Sequence, residues 1–234
     1  MKNIVITGGT KGIGKAIIEL FASHDFNIIT CARNHEDLKI LKEQIEIAYS
    51  KIQIFTMRAD LSDRDDIGNF IGFVKDNAES VDVLVNNTGT FIPGELSNEP
   101  EGNLEMLINT NLYSAYHLTR GLIGDMMNHK SGYIFNMCSV ASFMAYPNGG
   151  SYSISKFALY GFTKVLREEM KEHHVRVSAI LPGATFTASW DGTDLPEDRF
   201  MKASDVADAV WSAYNMSPNS VVEEIIIRPQ LGDL

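Results

Sequence analysis

Short apolar runs alternate with stretches of helical periodicity along the whole 234-residue chain. Asn3 to Thr7, Asn27 to Cys31, Ile52 to Met57, Val81 to Val85, Tyr133 to Met137, Arg176 to Leu181 and Val221 to Ile227 each read as a strand. The segments between them repeat apolar positions at helix spacing. Parallel neighbours in a sheet need crossover connections, and each crossover helix covers a face of that sheet. The alternation therefore predicts an α/β fold: a doubly wound, Rossmann-type sheet of seven mostly parallel strands with helices on both faces. No repeat, low-complexity tract or linker interrupts the pattern, so residues 1–234 are expected to form one domain. The most irregular stretch follows Pro182, through Trp190-Asp191-Gly192-Thr193-Asp194-Leu195-Pro196, in a position where such sheets build ligand sites.

Composition narrows the function classes. A hydrophobic content of 44% can fill a sizeable core, and a formal charge of −10 with a pI near 5.0 argues against a basic nucleic-acid-binding surface. Met1-Lys2-Asn3 leads straight into Ile4-Val5-Ile6, which leaves no room for a signal peptide, and no apolar run approaches the ~20 residues of a membrane span. A soluble, cytoplasmic protein is expected. Cys31 and Cys138 end strands that the proposed sheet order separates by two others, about 14 Å at ~4.8 Å per strand, so no disulfide is expected.

Thr7-Gly8-Gly9-Thr10-Lys11-Gly12-Ile13-Gly14 follows the first strand and opens a helix. In that setting Gly8, Gly12 and Gly14 let backbone N–H groups and a helix N-terminus approach a pyrophosphate, within a loop completed by Thr10, Lys11 and Ile13. Such glycines also serve a tight strand-to-helix turn that binds nothing. Choice between dinucleotides is read at the end of the second strand, where an acidic residue would bind the 2′-hydroxyl of NAD. Here the strand ends Thr30-Cys31-Ala32-Arg33-Asn34, without a carboxylate. Arg33 can make charge-assisted bonds to the 2′-phosphate of NADP, and Lys11 adds a second cation, so NADP(H) is expected in preference to NAD(H).

Candidate chemistry lies further on. Tyr152 and Lys156 sit one helical turn apart in Ser151-Tyr152-Ser153-Ile154-Ser155-Lys156, and Ser139 precedes the tyrosine by 152 − 139 = 13 positions. A phenol with a pKa of about 10 is a poor acid near neutrality. Two unit charges about 6 Å apart at an effective dielectric of about 20 interact by roughly 3 kcal/mol, about two pKa units, so Lys156 is expected to bring the tyrosine toward working pH. A serine and a tyrosine aimed at one carbonyl oxygen, with hydride arriving from a nicotinamide, would reduce a ketone or aldehyde to an alcohol, with Tyr152 as general acid/base.

With the glycine turn, Ser139, Tyr152 and Lys156 in place, the chain resembles the short-chain dehydrogenase/reductase family nearly end to end. The resemblance implies a fourth catalytic member, Asn111 in Asn109-Thr110-Asn111-Leu112, which matches an asparagine supporting a water-mediated proton relay; Asn109 is its neighbouring competitor. It also implies that Tyr152 and Lys156 belong to the cofactor site, Lys156 holding the nicotinamide ribose. Asp60 and Leu61 match the segment that contacts the adenine amine, although a helix N-cap is a competing role that Ser62 or Asp63 would fill better. Asn87 and Gly89, in Asn86-Asn87-Thr88-Gly89, match the turn after the fourth strand, with Thr88 in place of the family alanine. Pro182, Gly183 and Thr187 match the stretch at the nicotinamide end, with Thr185 at a usually aliphatic position. A weaker likeness, through the tail Val221 to Pro229, points to the family's sepiapterin reductase-like bacterial members.

Phe91, Phe143, Met144, Tyr146 and Trp190 could line an apolar substrate pocket or simply pack the core. The helix expected over 151 to 172 carries Ile154, Phe157, Ala158, Leu159, Tyr160, Phe162, Val165 and Leu166, too many for one apolar stripe. Burial inside its own domain would account for this, as would a subunit interface, and the family resemblance implies a homodimer or homotetramer. Cys138 reads as a buried small residue, not a nucleophile, and His173 and His174 as cations at a helix C-terminus, so no metal site is expected. Two other functions share these features: reduction of a 3-oxoacyl thioester, and NADP binding by a regulatory protein without turnover.

Overall fold

The computed structural model describes residues 1–187, 190 and 192–233; Asp191, in the irregular stretch after Pro182, lies outside the described residues. One sheet contains β1 (Lys2–Thr7), β2 (Phe26–Ala32), β3 (Ile54–Arg58), β4 (Val83–Asn86), β5 (Gly132–Met137), β6 (Val175–Pro182) and β7 (Glu224–Ile227). All pair in parallel, in the order β3-β2-β1-β4-β5-β6-β7. The crossovers hold α1 (Gly12–Ala22), α2 (His35–Ala48), α3 (Arg64–Asn77), α4 (Asn103–Ile108), α5 (Ser114–His129), α6 (Gly150–Met170) and α7 (Ala203–Tyr214). This is the doubly wound, Rossmann-type architecture that the alternation of runs predicts.

Central strands are apolar on both faces because helices cover both. In β1, Ile4 and Ile6 pack with Ile17, Ile18 and Phe21 of α1 and Val210 of α7. Val5, between them in sequence, faces the other way and joins Phe70 and Val74 of α3, Leu118 and Leu122 of α5, and Leu166 of α6. β1 has β2 on one side and β4 on the other, so the connections leaving their carboxyl ends diverge and open a crevice there.

Three strands begin later than their apolar runs suggest. Ile52 is buried but belongs to a turn, its N–H donating to Tyr49 O at 3.3 Å. Val81 precedes the fourth strand, and residues 221–223 reach β7 as irregular backbone. The long helix ends at Met170 and continues as a 3₁₀ turn, Lys171–His173. Cys31 and Cys138 are both free and buried. No described helix is long and apolar enough to cross a membrane.

Candidate active site

The glycine turn lies at the mouth of this crevice. Gly8 and Gly12 have φ of +67° and +54°, a left-handed backbone that side chains rarely adopt. A Cβ at Gly14 would collide with the Gly8 carbonyl oxygen, so the helix starts pressed against the turn. Asn87 locks the arrangement: its Nδ2 donates to Thr7 O at 2.9 Å and Gly8 O at 3.2 Å, and its backbone N–H to Thr7 Oγ1 at 3.0 Å. Thr88 finds room because it faces the bare Cα side of Gly8.

Helix starts differ in a telling way. Asn34 caps α2 by accepting from the N–H groups of Glu36 and Asp37, and Asp63 caps α3 by accepting from those of Asp65 and Asp66. Asp63 thereby takes the capping role that competed for Asp60. By contrast, α1 begins after Lys11 with no side-chain cap, and its first-turn N–H groups border the cleft. These donors and the positive end of the helix dipole fit a pyrophosphate.

At the end of β2, Arg33 is exposed on the cleft wall beside Asp60. Burial pushes the Asp60 carboxyl up, but hydrogen bonds from the Ser62 backbone and hydroxyl, with the charges of Arg33 and Arg58, outweigh it and leave the group below the usual carboxylate range. Lys11 is not the unencumbered second cation that the sequence suggests. Its Nζ pairs with Asp37 at 2.9 Å, because the N-terminal turn of α2 packs beside the glycine turn.

At the other end of the cleft stand Ser139, Tyr152 and Lys156. Ser139 follows β5, and its Oγ accepts from Ala141 N at 3.1 Å, which fixes the side chain at the start of a 3₁₀ turn. Tyr152 and Lys156 project from the first two turns of α6. Lys156 Nζ donates to Met137 O at 2.8 Å and lies 5.9 Å from the centre of the Tyr152 ring. Burial pushes this lysine down to about 8, with the Cys138 thiol opposing. The tyrosine behaves differently from the sequence expectation. Burial pushes its phenol well above the ordinary value; the hydrogen bond from Ser139 pulls it back, while Tyr146 and Cys138 push it further. The Lys156 charge is turned to a backbone carbonyl and does not lower it, so the protein's own side chains hold Tyr152 as a protonated acid. Cys138 is also held protonated, raised to about 11 by burial.

Of the catalytic and cofactor-binding residues named from the sequence, Asn111 alone does not line this cleft, which has a volume of about 830 Å³. It is fully buried beside the cleft, in a π-helical turn, Asn109–Tyr113. Its side-chain oxygen accepts from Thr90 N at 2.7 Å, and its Nδ2 donates to Thr90 O at 3.0 Å and Ser155 Oγ at 2.9 Å. Ser155 in turn donates to Tyr152 O at 2.7 Å. The neighbouring wall is tight at Gly89, where a Cβ would lie 3.3 Å from both Asn111 Oδ1 and Lys156 Nζ. The loop after β6 folds back over the glycine turn, since a Cβ at Gly12 would come within 2.9 Å of Thr187 Cγ2.

Phe91, Met144, Tyr146 and Trp190 line the open side near Tyr152, whereas Phe143 does not. Phe91 meets the Tyr152 ring edge-on at 4.8 Å, and Trp190 packs on Phe200 at 4.9 Å. Thr90 and Ser155, which the sequence reading does not single out, bind the site together through Asn111. The signal that could have found Ser155 is its place within the Tyr152–Lys156 turn; Thr90 carries no comparable local mark.

The short chain dehydrogenase family model matches residues 2–197. The sepiapterin reductase of Chlorobaculum tepidum is 34% identical over 100% of this chain and 99% of its own length. A metagenomic short-chain oxidoreductase solved in complex with NADP superposes with a TM-score of 0.85 at 30% identity, covering 98% of this chain and 97% of that one. The alcohol dehydrogenase of the archaeon Thermococcus sibiricus, solved with 5-hydroxy-NADP, has a TM-score of 0.93 at 24% identity over 100% and 99% of the two chains, a likeness of fold. With this match along the chain, a glycine turn at the switch point of the sheet and an uncapped α1, the protein belongs to the short-chain dehydrogenase family of oxidoreductases.

Proposed function

We propose that the protein is an NADP(H)-dependent carbonyl reductase acting on a small ketone or aldehyde, as one cytoplasmic domain that assembles into homodimers or homotetramers. One observation carries the reading: Ser139, Tyr152 and Lys156 converge at one end of a cleft whose other end is an uncapped helix N-terminus and Arg33. The bare donors of α1 would take the pyrophosphate, Arg33 the 2′-phosphate, Asp60 and Leu61 the adenine, and Gly183 and Thr187 the nicotinamide end. Lys11 would reach the 2′-phosphate only by leaving Asp37, so Arg33 is the main determinant of NADP over NAD. When bound, NADPH supplies a hydride to the carbonyl carbon.

The chain's own residues do the rest. Ser139 and Tyr152 donate hydrogen bonds to the substrate oxygen, where negative charge develops, and Tyr152 then gives up its proton. A phenol raised by burial is fully protonated at neutral pH, which suits the reductive direction. Lys156, at about 8, is mostly charged there, and it would stabilise the phenolate left behind only by turning its ammonium from Met137 O toward the ring oxygen. Phe91, Met144 and Trp190 exclude water and favour an apolar substituent on the ketone. The relative named as a sepiapterin reductase supports a carbonyl on the side chain of a flat heterocycle as one substrate class. Support for assembly comes from α6, where Ile154, Phe157 and Val165 form an exposed apolar row at helical spacing.

The test is NADPH oxidation against aromatic ketones, pterin carbonyls, 3-oxoacyl thioesters and aldehydes. Tyr152→Phe should lower turnover by roughly 10²–10⁴-fold with NADPH binding retained. Turnover undiminished in that variant would overturn the reading.

A further inference from the structure

The helix that presents Tyr152 and Lys156 begins without a cap of its own. Gly149 precedes it, the first turn holds no acidic residue, and no side chain within the segment satisfies its first N–H groups. Two consecutive glycines make this the part of α6 that loses most chain entropy on ordering. The missing partner arrives from a connection 52 positions earlier in the chain. Glu99, between β4 and α4, accepts a hydrogen bond from Ser151 Oγ through Oε1, and its Oε2 accepts from Ser151 N at 3.4 Å. A carboxylate here meets both the bare N–H groups and the positive end of the helix dipole.

Other contacts close the same seam. Gly94 N donates to Asn148 O at 3.0 Å. Gly150 has φ of +34°, and a Cβ there would collide with Gly94 O and lie 3.1 Å from Glu99 Oε2, so nothing larger than glycine fits between the two segments. The connection that carries Glu99 also carries Phe91, edge-on to Tyr152, and Thr90, held by Asn111.

We propose that Glu99 is a positioning residue for Tyr152: it caps the catalytic helix from the connection between β4 and α4 and fastens the Phe91 wall to the turn that bears the acid. The proposal rests on the reading of Tyr152 as the proton donor. Tyr152 is two positions beyond Gly150, so slack in that turn moves the phenol relative to Ser139, and errors near 1 Å at a reacting group cost on the order of 10²-fold in rate.

Turnover of a reduced ketone and amide hydrogen exchange over residues 150–153 would be measured in the wild type, Glu99→Ala and Glu99→Gln, well below the melting temperature of the weakest. Glu99→Ala should speed exchange in that turn and lower kcat by roughly 10- to 100-fold, with the NADPH Kd within about twofold of wild type. Glu99→Gln, which keeps an acceptor at the same reach, should recover most of the rate. Should Glu99→Ala fail to fold, Glu99→Asp withdraws the carboxylate by one methylene and should lower kcat in the same direction. Tyr152-dependent turnover with kcat unchanged in Glu99→Ala or Glu99→Asp would overturn the proposal alone, even with a lower melting temperature. Turnover that survives Tyr152→Phe would overturn the reading beneath it and the proposal together.

Discussion

Tyr152 and Lys156 are shifted in opposite senses by the same cause. Burial disfavours charge on either, so the phenol rises while the ammonium falls to about 8. The sign follows for activity. A lysine held below its ordinary value keeps its charge at low pH and loses it as pH rises through that value, so reductive kcat/KM should decline above about pH 8. In Lys156→Arg the guanidinium stays charged past pH 12, so this inflection should vanish from the pH–rate profile while kcat falls, because a planar fork cannot occupy the ammonium's place against Met137 O. An inflection that stays near 8 in the variant would assign it to another group. Ser139, Tyr152 and Lys156 are visible in the sequence because their spacing is short or helical. Asn111 is legible only through the family resemblance and Ser155 only by its place in the Tyr152–Lys156 turn, whereas Thr90 and Glu99 act through contacts 21 and 52 positions apart, which no local pattern records. Nor does spacing reveal that Lys11 would be claimed by Asp37, since that pair forms only when α2 packs beside the glycine turn.

At the scale of elements, strands buried on both faces read as unbroken apolar runs, which is why β1, β2, β5 and β6 lie within a residue or so of their expected bounds. The edge strand β7 is misjudged at its start because residues 221–223 have strand-like composition but side-chain partners: Val222 O accepts from the Ser178 hydroxyl, and Glu223 O accepts from the Arg167 guanidinium as well as the first ladder bond from Ala179 N of β6 at 2.9 Å. Arg167 is buried and donates from Nε to Val177 O at 2.9 Å, so α6 is pinned to β6 and to the lead-in of β7 at once. Contrast among helix starts carries function: α2 and α3 are capped locally, α6 by Glu99 from afar, and α1 is left bare at the cleft. Gly14→Ala tests the bare start. Its Cβ would clash with Gly8 O and lie 2.6 Å from Asn87 Nδ2, so the turn must open. NADPH affinity measured by fluorescence titration should fall by more than about tenfold, with a loss of roughly 1–3 kcal/mol in stability from overpacking.

For the whole molecule, the parallel order places every loop that lines the cleft at the carboxyl ends of the strands, so helices and core can stay rigid while loops set the substrate. The outer row of α6 is the same helix seen from the far side: Phe157 is 45% and Val165 60% exposed, whereas Leu159 and Leu166 face the core. If this row is a subunit interface, Phe157→Glu should shift the sedimenting species to the monomer mass, and catalysis should weaken as α6 loses its outer support. A wild type that sediments as a monomer at micromolar concentration would remove the interface from the account. The central claim is hydride transfer to a carbonyl with Tyr152 as the acid, and the most direct measurement supplies NADPH carrying deuterium at both C4 positions with the best-reduced ketone. Mass spectrometry of the alcohol should find one deuterium at the carbinol carbon in the wild type and almost none formed by Tyr152→Phe. NADPH that binds tightly in the cleft yet leaves no label in any alcohol across the carbonyl panel would contradict the claim and leave a nucleotide-binding protein in place of a reductase.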